Sequence, residues 1–272
     1  MNFIMFTKHL EGCSLREIVN VLKRVGVNGA DLCVREGYPV NPQNITRALP
    51  EAVELLTEEG LSIPLVTAPG NFNTTQLDYA ERYYQACGEN GVKHIKLGYW
   101  HWRQGTDYWK EVDRIRTELE LFEKLSEKTG VQTVVHNHSG HSIGLNSSSV
   151  MHIVNGFNPK HIGVFADVGH LSICGEPIDM ALNIVQKYLA VISFKDLMRV
   201  PTIEGGEKRW GVDVVRLGTG FGDWNTTLRT LKAQNFEGTV SMHSEYSDEP
   251  VETVIDLART DVRFIRNLLD HL

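Results

Sequence analysis

A chain of 272 residues with 27 Lys plus Arg against 34 Asp plus Glu carries a net formal charge of −7, so it has no global attraction for nucleic-acid backbones or anionic lipid. With 42% hydrophobic and 22% charged residues it has the composition of a folded globular protein, which excludes disorder over most of its length. No apolar run reaches the roughly 18 residues of a membrane span, and four scattered cysteines without a CxxC (Cys13, Cys33, Cys87, Cys174) read as free thiols of a reducing cytoplasm.

The first apolar stretch, Phe3–Lys8, reads as a strand rather than a signal peptide, because no small-residue cleavage site follows it. Ser14-Leu-Arg-Glu17 is a capping box, and Leu15, Ile18, Val19 and Leu22 then mark one face of a helix. Four polar, helix-like stretches end at Gly26, Gly60, Gly91 and Gly130, spaced 34, 31 and 39 residues apart, and each leads into an apolar strand. Glycine just past a helix is the left-handed cap that lets the chain turn back. One helix and one strand per interval is a βα unit, and such units build a parallel sheet. Eight units of that size fill the chain. The strands so proposed are Phe3–Lys8, Gly29–Arg35, Ser62–Ala68, Lys93–Tyr99, Gln132–His138, Ile162–Asp167, Val191–Asp196 and Thr239–Glu245. Helical spacing returns after Pro250, with Val254, Leu257, Val262, Ile265 and Leu269. No linker divides the chain, so we read residues 1–272 as one α/β domain, a single (β/α)8 TIM barrel. An open doubly wound sheet is the alternative.

In such a barrel the chemistry sits at the C-terminal strand ends. The later strands end in dense polar sets: His136-Asn-His138, Asp167-Val-Gly-His170, Ser193-Phe-Lys195-Asp196 and His243-Ser-Glu245. The strand period of two puts His136 with His138, Ser193 with Lys195, and His243 with Glu245. Ile192 and Phe194 fall on the opposite face and suit packing against outer helices. Converging imidazoles and carboxylates are a metal-site composition. Each residue singly has a bland reading: a strand-end His is commonly a hydrogen-bonded structural residue, and Asp167 is equally suited to cap the next helix. Glu245 is harder to explain away, because a carboxylate near a barrel centre needs a cation or donors. The Gly-rich stretch Leu217–Gly222 reads as a loop and not as a phosphate cradle, with Asp223 as the next helix cap.

The motifs "VVHNHSGH", "GVFADVGHLSICGEP", "VISFKDL", "RLGTGFGDW" and "SMHSEY", in that order, resemble the xylose isomerase-like barrels, in particular the sugar phosphate isomerase/epimerase proteins. "GADLCVREGYPVNPQNI" and "GVKHIKLGYW" extend the resemblance into the N-terminal half. The resemblance implies one divalent ion (Mn, Zn, Co or Mg), with Asp167 and Glu245 as ligands and His136 where the family commonly has a Glu. It also implies His170 as a substrate contact. Ser193 stands where the family's strand-seven His ligand belongs, and Lys195 on the same face is positioned to supply positive charge.

The implied reaction is proton abstraction beside the carbonyl of a keto-sugar or sugar phosphate, through an enediolate. Glu245, His136, His138 and Lys195 are the catalytic candidates. His170, Arg35, Lys96, Tyr99, Trp100 and His243 are the candidates for holding the sugar. The same intermediate serves a lyase or dehydratase acting on a keto-sugar or 3-keto-glycoside. A non-catalytic sugar-binding barrel is a further reading. An abasic-site endonuclease, which shares the superfamily, is disfavoured by the acidic total and by Ser193. The expected partner is a small-molecule sugar, with neither nucleic acid nor membrane, and a homo-oligomer is left open.

Overall fold

The structure, a computed structural model, describes residues 1–246 and 249–272. In chain order the strands are β1 (Asn2–Phe6), β2 (Gly29–Cys33), β3 (Ser62–Thr67), β4 (His94–Lys96), β5 (Gln132–His136), β6 (Ile162–Asp167), β7 (Leu189–Phe194), β8 (Asp196–Glu204), β9 (Glu207–Val215) and β10 (Thr239–Met242). The helices are α1 (Leu15–Val25), α2 (Ile45–Glu58), α3 (Ala80–Glu89), α4 (Tyr108–Thr129), α5 (Ser147–Val154), α6 (Val168–Ile173), α7 (Ile178–Val185), α8 (Trp224–Ala233) and α9 (Val251–Asp270). Eight parallel strands close in the order β1-β10-β7-β6-β5-β4-β3-β2, the TIM barrel expected, and β8 and β9 form a separate antiparallel hairpin. No helix of the described residues is long and apolar enough to cross a membrane. The four cysteines are free thiols.

Local chemistry explains the elements. Ser14 and Glu17 form the capping box at the start of α1, and Gly26 ends it in the left-handed region at φ 83°. Gly130 closes α4 in the same way at φ 73°. Between sheet and helices lies the larger apolar core, to which Ile192 and Phe194 contribute. Phe194 meets Trp224 of α8 edge-on, with ring centroids 5.2 Å apart.

Inside the barrel a smaller apolar layer is built from Ile4, Leu65, Val134, Phe165 and Val191. Two residues further along the same strands come Phe6, Thr67, His136, Asp167 and Ser193. Two further again come Lys8, His138 and Lys195. The strand period of two therefore lifts the chain in one step from an apolar floor to a polar mouth.

Two features differ from expectation. Several strands end earlier: β2 at Cys33, β5 at His136 and β10 at Met242. The first residue beyond each keeps one backbone bond to the neighbouring strand (Val34 to Thr67, Asn137 to Phe165, His243 to Phe194), and the chain then continues as loops. The second is the β8–β9 hairpin, inserted between β7 and α8, where a plain loop was expected. Its turn is Gly205-Gly206, both at positive φ, and nine residue pairs run in register from Asp196↔Val215 to Glu204↔Glu207.

Candidate active site at the barrel mouth

Asp167 is the centre of the mouth. It ends β6 fully buried, and its Oδ1 accepts the His170 N–H at 2.9 Å, so it caps α6. Its Oδ2 accepts the Ser193 hydroxyl at 2.6 Å. Around that same oxygen stand His136 Nε2 at 3.4 Å, Lys195 Nζ at 3.7 Å and His243 Nδ1 at 3.8 Å. Asn137, the residue just past β5, fixes this geometry by accepting the Asp167 backbone N–H at 2.7 Å. The cap and the site are thus one residue doing both jobs.

Lys195 Nζ is ion-paired with Glu245 Oε2 and donates to His170 Nε2 at 3.4 Å. Glu245 Oε1 accepts Lys8 Nζ at 2.8 Å. His170 Nδ1 meets the Ser139 hydroxyl at 2.8 Å, so its ring is neutral and oriented from both sides. His138 Nδ1 lies 2.9 Å from the Ser139 carbonyl. A carbonyl only accepts, so Nδ1 carries the proton and Nε2 of neutral His138 keeps a free lone pair. The His138 ring lies 3.9 Å from that of His170 and 4.5 Å from that of Tyr99. Lys96, buried on β4, sits over Tyr99 at 4.4 Å.

Most of the expected residues therefore meet here. Arg35 is at the rim, with Nε donating to the Ala68 carbonyl at 3.1 Å. Trp100 does not join them: it is buried in the outer core, and its Nε1 donates to the Asn73 carbonyl at 3.1 Å. Two residues were not anticipated. Lys8 arrives from the end of β1. Asp31 lies fully buried on β2, where it accepts Thr67 Oγ1 at 2.6 Å and Ser241 Oγ at 2.9 Å and stands 3.4 Å from His243 Nε2. The signal for Asp31 was an acid inside an otherwise apolar strand, which needs partners to be buried.

The Gly-rich stretch is not a phosphate cradle. The backbone N–H groups of Gly218, Gly220 and Gly222 and the Trp224 indole all donate to the Asp196 carboxylate, at 2.9, 3.1, 2.9 and 3.0 Å. The anion this loop binds is the protein's own.

Charge and burial compete in this cluster. Burial pushes the Asp167 and Glu245 carboxyls up, but Lys195 and the neighbouring imidazoles and ammonium overcome it and hold both well below the ordinary range. Lys195 is the reciprocal case: burial pulls it down, and Glu245 and Asp167 lift it above its usual value. Burial lowers His136 strongly and His138 as well, and takes His170 to about 3. His243 is raised, because Asp31 and Glu245 outweigh its burial. Burial, reinforced by Arg35, lowers Lys96 to about 8.

These directions predict an acid-labile fold. Between pH 6.5 and about 3 the unfolded chain protonates the imidazole of His170 while the folded chain does not. Unfolding then takes up protons, and stability falls with acid. The depressed carboxylates act in the same direction at lower pH, because their contribution is lost as pH falls through their folded values. The urea midpoint is expected to drop steadily from pH 7 to pH 4.5. A flat profile would contradict the assigned charges.

His136, Asp167 and His243 offer three donor atoms, all within 4.8 Å of one another. None of the four ring nitrogens of His136 and His243 has a hydrogen-bond partner, although all are buried. Unpartnered buried nitrogens around a carboxylate fit a divalent cation, and an N2O set with room for a further ligand is the pattern of catalytic zinc and its neighbours. Glu245 was the expected ligand on the last strand. Here its oxygens are taken by Lys8 and Lys195, and the residue that stands with His136 and Asp167 is His243, the first residue past β10.

The xylose isomerase-like TIM barrel model matches residues 19–268. The chain belongs to that family. No curated protein matches it by sequence. Among solved structures it is similar to the IolI protein with a bound zinc atom, at TM-score 0.76 and 16% identity over 97% of this chain and 98% of that one. It is also similar to D-psicose 3-epimerase with D-tagatose from Clostridium cellulolyticum H10, at 0.73 and 14% over 99% of each chain. A third is apo 3-keto-D-glucoside 4-epimerase from E. coli, at 0.72 and 15% over 98% of this chain and 99% of that one.

Proposed function

We propose that this family member is a sugar isomerase or epimerase that abstracts a proton beside the carbonyl of a keto-sugar. The observation that supports this most is one cleft of about 700 Å³ whose lining includes Lys8, His138, His170, Lys195 and Glu245. A free imidazole nitrogen, a buried ammonium and an ionised carboxylate share that space.

His138 Nε2 is the proposed base. Its lowered pKa keeps it neutral near pH 7, and the Ser139 carbonyl keeps the lone pair on the correct nitrogen. Removal of the C–H proton places negative charge on the carbonyl oxygen, giving an enediolate. Lys195 faces that charge with a fixed ammonium, an arrangement that needs no reorganisation. Negative charge developing beside Lys195 competes for the ammonium without moving it, which weakens its hold on Glu245 and makes that carboxylate basic enough to take a proton from solvent. Glu245 follows β10, three strands round the barrel from β5. Return of the proton from His138 to the neighbouring carbon gives isomerisation; delivery to the other face of a proton that Glu245 has taken from solvent, with the His138 proton released to solvent, gives epimerisation. His170, Lys96, Tyr99 and Arg35 are assigned to the sugar hydroxyls and ring.

A divalent ion, when bound, would be held by His136, Asp167 and His243 and would add Lewis-acid stabilisation of the same charge. His136 is fully enclosed beneath the cleft, so it is assigned to this group rather than to proton transfer.

The test is wash-in of solvent deuterium. D-fructose, D-tagatose and 3-keto-glucosides incubated in D2O are followed by NMR, which reads proton abstraction whatever the product. Exchange is expected with at least one of them, and His138→Asn is expected to slow it by about 10²-fold or more. Exchange accompanied by release of the aglycone assigns the lyase reading. No exchange with any of these sugars overturns the enzyme proposal.

A further inference from the structure

The β8–β9 hairpin stands over the cleft, and its role is not explained by the chemistry at the strand ends. Its base is rigid. Asp196 at the start of β8 is gripped by the Gly218–Gly222 loop that follows β9. Arg199 Nη2 donates to the Ile173 carbonyl at the end of α6, at 3.2 Å. The register places Leu197 opposite Val214, Arg199 opposite Val212 and Pro201 opposite Trp210. Residues directly opposite each other share a face, and Leu197, Arg199, Trp210, Val212 and Val214 line the same cleft as Lys195, His138 and Glu245. Trp210 is 57% exposed and Val212 46% exposed on that face.

The two walls therefore have opposite chemistry. The barrel side offers an ammonium, a carboxylate and imidazoles, which suit a reacting sugar ring. The hairpin side offers a tryptophan and a strip of aliphatic side chains; of the two cations on that face, Arg199 is engaged with a backbone carbonyl and Lys208 lies with its ammonium 4.8 Å from the Trp210 ring centroid. Sugar hydroxyls placed against that strip would lose their hydrogen bonds to water without replacement. An aromatic or otherwise apolar surface placed there would gain from burial and from stacking on Trp210.

We infer that the hairpin is a second subsite, and that the ligand is a glycoside whose reacting ring lies at Lys195 and whose aglycone presents an apolar face to Trp210, Val212 and Val214. This rests on the proposed reading of the site as sugar-binding and names its substrate class as glycosides rather than free ketoses. The cleft, at about 700 Å³, lies in the range that encloses ligands of more than one ring.

The test is calorimetric binding of three inert probes to the intact protein: phenyl β-D-glucopyranoside, methyl β-D-glucopyranoside and cellobiose. The phenyl glycoside is expected to bind at least tenfold more tightly than the methyl glycoside. In Trp210→Ala that advantage should shrink to about twofold, whereas Trp109→Ala, at an exposed tryptophan on α4, should retain it. Circular dichroism checks that both variants keep the barrel. Cellobiose binding as tightly as the phenyl probe assigns the subsite to the apolar face of a second sugar, and cellobiose binding like the methyl probe assigns it to an aromatic aglycone. Phenyl and methyl probes within twofold in the wild type, no measurable binding of either, or a phenyl advantage unchanged in Trp210→Ala would each overturn the inference. Deuterium wash-in on the same preparation reports the isomerase reading separately, so failure of one is not mistaken for failure of the other.

Discussion

Asp167→Asn is expected to slow solvent-deuterium exchange by about 10³-fold, a loss on the scale of removing a group that fixes transition-state charge. The substitution keeps the shape and the oxygen that caps α6. It removes the negative charge against which Lys195, His136 and His243 are arranged at 3.4–3.8 Å. Lys195 is then left to Glu245 alone, and the two unpartnered imidazoles lose the donor between them. Removing one partner of a buried charge cluster typically costs about 3 kcal/mol or more. The melting temperature should fall by roughly 10 °C, since about 1 kcal/mol shifts a chain of this size by a few degrees. Calorimetric melting and NMR exchange check the two halves of the claim. Exchange within a few-fold of wild type would remove Asp167 from the mechanism.

Lys195→Met should be as damaging to exchange, by about 10³-fold, and more informative about charge. Methionine fills a similar volume and carries none. Glu245 would keep Lys8, but the fully buried Asp167 would have no ammonium beside it and would keep only the Ser193 hydroxyl, the His170 N–H and the neighbouring imidazoles. Both carboxyls, now held low chiefly against burial by Lys195, should rise. The sign of the pH effect follows. In the wild type the depressed carboxylates stabilise the fold at neutral pH, and that stability is lost as pH falls through their folded values. In the variant the neutral-pH stability is missing from the start. The difference between wild type and variant should be about 3–5 kcal/mol at pH 7 and should narrow towards pH 4. Urea unfolding at the two pH values measures it. A difference that does not change with pH would show that Lys195 contributes packing and not charge.

Much of this site is visible without coordinates. The period of two along "VVHNH", "VISFK" and "SMHSE" puts one polar pair on the inner face of each of three strands, and the structure brings His136, His138, Lys195, His243 and Glu245 to one mouth. What the spacing cannot do is choose between His243 and Glu245, which share that face. The choice is made by Lys8, 237 residues distant in the chain, which together with Lys195 occupies the Glu245 oxygens. Asp31 escaped notice because its partners, Thr67 and Ser241, come from two other strands. Trp100 misled for a similar reason: β4 ends at Lys96, and the chain beyond it turns the indole into the outer core. The hairpin did carry a local signal, Gly205-Gly206 between two alternating runs. Pro201 and the charged residues flanking the turn obscured it, since proline in a run argues against an interior strand.

The barrel itself was determined by features that act over a few residues: a glycine that ends a helix, an apolar run that follows it, a serine and a glutamate that start the next turn. These are local free energies, so a linear reading finds them. The cluster His136-Asp167-His243, the lysine bridge at Glu245 and the apolar roof over the cleft were decided only when the sheet closed. They depend on distances of a few ångströms between residues far apart in sequence, and Coulombic and desolvation energies change steeply over such distances.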